Sequence, residues 1–179
     1  MVQLTEVQRD FILHWGEMGS AWGVNRAAAQ MYALLYLSPQ PLTADEVGET
    51  LGVARSTVST GLRELQNWGL AKVVQVLGDR RDYFTALDDV WEMFRVILRE
   101  RKRREFDPTL AMLRESAAAL DDNSADAPHT RERLREMLDL FEAAATIYDQ
   151  VADLPIDTLI KMSEVGDRLS KVLRVLTKE

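Results

Sequence analysis

The sequence predicts an all-α chain carrying one small β-wing, with a helix-turn-helix near its centre and helical regions on either side. Three observations carry this. Residues 43–67 hold two helical patterns separated by little more than Gly52. Residues 70–86 alternate like two strands around a basic turn, Gly78-Asp79-Arg80-Arg81. Elsewhere apolar residues recur every three or four positions, the period of a helix with one buried face.

In chain order, the first helix is expected from Thr5 to about Met18. Thr5 and Gln8 have capping-box spacing, and Val7, Phe11, Trp15 and Met18 share a face. Gly16, Gly19 and Gly23 are expected to loosen its end. Asn25 caps a second helix to about Leu37, bearing Tyr32, Leu35 and Tyr36, and Pro39 and Pro41 stop it. Thr43 and Glu46 repeat the capping-box spacing, so a third helix starts at Ala44 and ends where Gly52 turns left-handed. A fourth follows at once, with Val58, Leu62 and Leu65 inward and Arg55, Ser56, Thr57, Thr60 and Arg63 largely outward. Ala54 stands at its cap position and offers no side-chain acceptor, so its first turn is expected to fray.

A strand over residues 70–76, the turn, and a return strand from Asp82 to Ala86 make the wing. From about Asp89 helix resumes: Trp91, Phe94, Ile97 and Leu98 lead into the charged run Arg99–Glu105. Asp107-Pro108 marks a break or kink, after which Leu110, Leu113, Ala117 and Leu120 continue the stripe. Residues 121–130 read as a polar loop. The next helix places Leu134, Leu138, Phe141, Ala145 and Tyr148 on one face. Beyond Pro155, Met162, Val165, Leu169, Val172 and Leu176 form a coiled-coil-like seam.

Composition narrows the function. The chain has 179 residues, 46% hydrophobic and 28% charged, and no cysteine, which excludes disulfides and thiolate zinc sites. His14 and His129 lie far apart, so neither a metal site nor a cofactor is expected. There is no Ser-His-Asp order and no phosphate-binding glycine loop, so no enzyme is expected. No run reaches 18 apolar residues and no basic-then-apolar leader is visible, so a cytoplasmic protein with no membrane partner is expected. Net charge is −7. Its distribution matters more: of the segments 1–53, 54–86, 87–130 and 131–179, only 54–86 is net positive, with Arg55, Arg63, Lys72, Arg80 and Arg81 against Glu64, Asp79 and Asp82.

A short helix packed under a polar, basic helix, with a basic hairpin beside it, suits duplex DNA. Arg55, Ser56, Thr57 and Thr60 lie where a reading helix reaches base edges; Ser59 and Arg63 suit phosphates or plain surface. Arg80 and Arg81 sit where an arginine enters a narrow minor groove, with Asp79 placed to hold the turn. The run Arg99–Arg104 is interleaved with Glu100 and Glu105 and reads as a solvated helix face. Trp68 and Trp91 read as core. Trp15, Trp22 and Tyr36 are candidates for an aromatic cage around a small cationic effector, set against ordinary packing.

The run Ala44-Asp-Glu-Val-Gly-Glu-Thr-Leu-Gly-Val-Ala-Arg-Ser-Thr-Val-Ser-Thr-Gly-Leu, with Gly78-Asp-Arg-Arg-Asp-Tyr-Phe, resembles the winged helix-turn-helix regulators of the MarR superfamily. Leu34-Leu-Tyr-Leu-Ser-Pro-Gln-Pro-Leu-Thr ahead of it is similar to the GbsR-like branch. The resemblance implies a winged helix-turn-helix DNA-binding domain over residues 25–87. It implies a helical dimerisation and candidate effector region over residues 1–24 and 88–179. It further implies a homodimeric transcription regulator, more often a repressor, on a pseudo-palindromic operator in double-stranded DNA, with a small-molecule effector that weakens binding. Of the wing arginines, one is implied to enter the groove, with Arg80 favoured, and the other to serve structure. The alternative class is a winged-helix protein-interaction module that never touches DNA.

Overall fold

The structure, a computed structural model, describes residues 2–119, 127–152, 154–158 and 161–162. Leu120, the acidic pair Asp121-Asp122 and the seam residues Val165, Leu169, Val172 and Leu176 lie outside the described residues. The chain divides into two compact units, Met1–Glu100 and Arg101–Glu179.

The first unit contains α1 (Glu6–Ala21), α2 (Arg26–Leu37), β1 (Leu42–Thr43), α3 (Ala44–Leu51), α4 (Arg55–Asn67), β2 (Ala71–Val74), β3 (Tyr83–Ala86) and α5 (Val90–Arg101). Local chemistry sets most of the boundaries. Thr5 and Gln8 complete a reciprocal capping box, as do Thr43 and Glu46. The Asn25 side chain accepts from the backbone N–H of Ala27 and Ala28. Gly52 ends α3 at φ 66°, a left-handed conformation that glycine adopts without steric cost.

The expectation that glycines loosen the end of α1 is corrected. The helix runs on to Ala21, and Gly16 and Gly19 are buried against α2. A Cβ on Gly19 would lie 2.5 Å from the Cβ of Ala29, and one on Gly16 2.6 Å from Cγ of Gln30. These glycines let two helix backbones approach. Helix α2 is the hub of the unit, with Ala28, Met31, Tyr32, Ala33, Leu34 and Leu35 buried. It packs against α1, α3, α4 and β3. Its contact with α4 depends on Gly61, where a Cβ would meet the Met31 sulfur at 2.6 Å. Tyr32 donates to the Leu87 carbonyl at 2.8 Å, tying α2 to the end of the wing. Burial, with the neighbouring Tyr36 and Asp88, pushes the Tyr32 hydroxyl pKa far above its ordinary value.

The three strands form an antiparallel sheet in the order β1-β3-β2. Leu42 faces Phe84, and β2 pairs with β3 from Ala71↔Ala86 to Val74↔Tyr83. β1 is too short to leave a period in the sequence. Both wing strands are shorter than expected, because residues 75–82 form turns instead of ladder. Along α5 the inward residues are Met93, Val96 and Ile97. Trp91, expected in the core, is 47% exposed, and Phe94 40%. The inward face of α5 keeps Ile97 of the expected stripe and replaces Trp91 and Phe94 with Met93 and Val96.

In the second unit a π-helical turn, Lys102–Phe106, precedes α6 (Asp107–Ala119), and α7 covers Ala127–Ala152. Pro108 has no N–H to continue an ordinary ladder, and the Asp107 N–H bonds the Lys102 carbonyl five residues back. The expected face of α7 is its half-buried one: Leu134, Leu138, Phe141, Ala145 and Tyr148. Phe141 stacks on Phe106 at 4.7 Å, and Arg114 pairs with Glu142 at 2.9 Å. Among the described residues, no helix is long and apolar enough to cross a membrane, and no group of three or more acidic or histidine side chains could hold a metal.

Candidate nucleic-acid interface

Helix α4 has two chemically distinct sides. Val58, Gly61, Leu62 and Leu65 are buried, and each fully buried Val or Leu contributes about 1.5–3 kcal/mol. On the other side Arg55, Ser56, Ser59, Thr60 and Arg63 are exposed, and Thr57 is half-buried. Helix α3 supports this arrangement from beneath through Val47 and through Gly48, where a Cβ would stand 3.2 Å from Val58 Cγ2. Ala54 makes no side-chain cap bond, so the first turn of α4 leaves its N–H groups open to solvent or a ligand next to Arg55 and Ser56.

The wing tip is built from two consecutive turns. The first is Val76–Asp79, in which the Asp79 N–H donates to the Val76 carbonyl at 3.0 Å. Gly78 occupies its third position at φ 87°, the requirement of a type II turn. In the second, the Asp79 carboxylate accepts from the Arg81 backbone N–H at 2.9 Å, which puts Arg80 at the apex. The Arg81 side chain then closes on Asp79, Nη2 to Oδ2 2.6 Å and Nε to Oδ2 3.0 Å. The Tyr83 hydroxyl accepts from Arg81 and donates to Asp79, both at 2.8 Å. The Arg81 guanidinium also lies 5.4 Å from the Tyr83 ring centroid. The Arg81 side chain, then its backbone N–H and the Tyr83 hydroxyl, hold the Asp79 carboxyl well below the usual carboxylate range. Asp79 in turn raises Arg81 further above its ordinary value.

The two wing arginines therefore differ. Arg81 is committed to a fixed cluster although its side chain is 61% exposed. Arg80 is exposed and, like Arg55 and Arg63, has no ion-pair partner among the described residues. The charged run from the end of α5 through the π-helical turn is engaged in ion pairs, with the Arg99, Arg101 and Glu105 side chains exposed and Lys102 part-buried. Arg99 pairs with Glu92 at 2.6 Å, Arg101 with Glu105 at 3.0 Å and Lys102 with Asp107 at 2.9 Å.

The three cage candidates are not brought together. Phe11, Trp15, Tyr32 and Tyr36 stack as a ladder along α1 and α2, with successive centroids 5.2, 6.4 and 6.0 Å apart. Trp15 and Trp22 line a small apolar cavity with Met18, Leu65, Leu70 and Met93, and Tyr36 lies outside its lining. Its volume is about 30 Å³, room for a water or two. A wider surface hollow of about 490 Å³, between residues 2–4, α1 and α3, contains none of the three.

A short helix packed under an exposed polar helix, flanked by a hairpin with an ordered basic tip, defines a winged helix-turn-helix protein. Residues 22–82 match the family model described as MarR family. The chain is similar to the HTH-type transcriptional repressor GbsR of Bacillus subtilis (strain 168), 26% identical over 147 residues, covering 82% of this chain and 77% of that protein. It is 23% identical over 91 residues to the putative HTH-type transcriptional regulator YvaV of the same organism, about half of each chain. A crystal structure described as a transcriptional regulator superposes with a TM-score of 0.62 at 24% identity, covering 82% of this chain and 95% of that one, which supports the fold.

Proposed function

We propose that this protein is a sequence-specific DNA-binding transcription regulator, a repressor acting as a homodimer. The observation that carries the reading is the set of uncompensated cations Arg55, Arg63 and Arg80, held on two rigid elements by a packed α4 and a locked wing tip. In this reading α4 enters the major groove. Arg55, Ser56, Thr57 and Thr60 meet base edges there, and Ser59 and Arg63 bond phosphates. Arg80 enters the minor groove, drawn by its negative potential, and Arg81 preorganises the tip. Two copies place their α4 helices about 34 Å apart, one turn of duplex, and block polymerase. Exposed apolar residues on α1 (Val7, Leu13), α5 (Trp91, Phe94) and α7 (Leu140, Ile147) supply surface for pairing two chains.

An effector acts in this scheme only by binding the DNA-incompetent arrangement more tightly. The cavity beside Trp15 and Trp22 admits a ligand larger than water only if α1, α2 or α5 shifts, which would couple occupancy to the reading head. The likeness to a protein named a repressor supports the sign of regulation.

The net charge of −7 favours a second reading, a winged-helix module that binds protein instead of DNA. Fluorescence anisotropy with a labelled 30-base-pair duplex separates the two. The DNA reading expects saturable binding at low salt that weakens steeply as salt rises, with Arg80→Ala weaker on every sequence tried. Equal, negligible retention of wild type and Arg80→Ala at low salt would support the protein-binding module.

A further inference from the structure

We propose that Leu77 is an apolar wedge that enters the minor groove beside Arg80 and partly unstacks a base step, an inference that rests on the DNA-binding reading above. The observation is its position. Leu77 is 104% exposed, more than any other large apolar side chain among the described residues. It is not on a loose loop. It occupies the second position of the Val76–Asp79 turn, a bend closed by the Asp79 N–H and by Gly78 at φ 87°. The following turn is clamped by Asp79, Arg81 and Tyr83, and Gln75 donates to Asp82 at 3.0 Å across the base of the tip.

The wing thus has two apices, one carrying a leucine and the next an arginine with no ion-pair partner among the described residues. Single exposed leucines are ordinary on protein surfaces, but this one stands fully in water on an ordered tip that also carries Arg80. A minor groove suits that pair. Cationic side chains are drawn by its negative potential, and apolar wedges such as leucine slide between base steps and kink the duplex. Val76, 42% exposed, extends the apolar surface behind the wedge. The wedge favours deformable pyrimidine–purine steps under the wing, so it selects sequence where no base edge is hydrogen-bonded.

The test uses the full chain and the highest-ranked duplex that it selects from a random pool, with 2-aminopurine placed in turn at each step outside the major-groove half-sites. Wild type is expected to raise the fluorescence at one step, the signature of lost stacking. Leu77→Ala is expected to abolish that rise and weaken binding about tenfold, with an unchanged salt slope because no phosphate contact is lost. Leu77→Met is expected to restore both. Since Leu77 touches no core residue, an unchanged melting temperature checks that the variants fold. If wild type and Leu77→Ala bind alike with the same fluorescence, the wedge is overturned while the DNA reading stands. A Leu77→Ala protein that loses affinity together with salt slope also overturns it, since the leucine would then be shaping the wing. If wild type selects no duplex, the DNA reading fails and the wedge with it.

Discussion

A threonine on α4 and an arginine on the wing are expected to fail in different ways when truncated. Thr57 is half-buried near the start of α4, where the proposed reading sets its hydroxyl against base edges. Thr57→Ala is expected to change which operator is preferred, by about 1–3 kcal/mol at one base position, measured by competitive gel shift against single-base variants. Arg80→Ala is expected to weaken all duplexes alike and to lower the salt slope by about 0.9, the signature of one lost phosphate-scale contact. The Asp79 cluster has its own signature in acid. Its folded pKa lies below the unfolded one, so the clamp is fully present above the unfolded carboxylate value of about 3.9 and is lost as pH falls through the lower folded value. The Arg81 Nε–H resonance is therefore expected to stay shifted and protected below about pH 4 for as long as the protein remains folded. Loss of that protection near pH 5 would mean the clamp does not exist in solution.

At the scale of elements, what the sequence reveals divides by range. Both capping boxes, the Asn25 cap and the left-handed Gly52 are legible because each is decided by residues three or four apart. So is the pairing of Asp79 with a neighbouring arginine, although the part played by Tyr83 is not. Gly19 misleads on its own: a glycine near a helix end reads as a loosener until Ala29, ten positions on in another helix, is seen 2.5 Å from where its Cβ would be. β1 leaves no trace because its partner strand is supplied by residues 83 and 84, far along the chain. Two substitutions follow. Gly19→Ala forces two helix backbones apart and is expected to destabilise by about 1–3 kcal/mol in urea unfolding. Ala54→Ser supplies the missing cap on α4 at an extended backbone, φ −65° and ψ 149°, and is expected to stabilise by about 1 kcal/mol. A serine there that left the melting temperature unchanged would show that the first turn of α4 is already satisfied.

For the whole molecule, the proposed function reconciles the acidic balance with a basic α4 and wing through pairing of two chains. One chain offers a net charge of only +2 across residues 54–86, which predicts weak, salt-sensitive binding. Two heads docked together add their phosphate contacts and fix their spacing. Sedimentation velocity at micromolar concentration is expected to give a dimer, and Trp91→Glu with Phe94→Glu to give monomers that bind DNA much more weakly if α5 contributes to the interface. The central claim is that α4 and the wing read duplex DNA in symmetric pairs. Selection of bound duplexes from a random pool tests it most directly. The account predicts enrichment of two inverted half-sites centred about one helical turn apart. A pool that stays random, or a single unpaired motif bound by one chain, would contradict it.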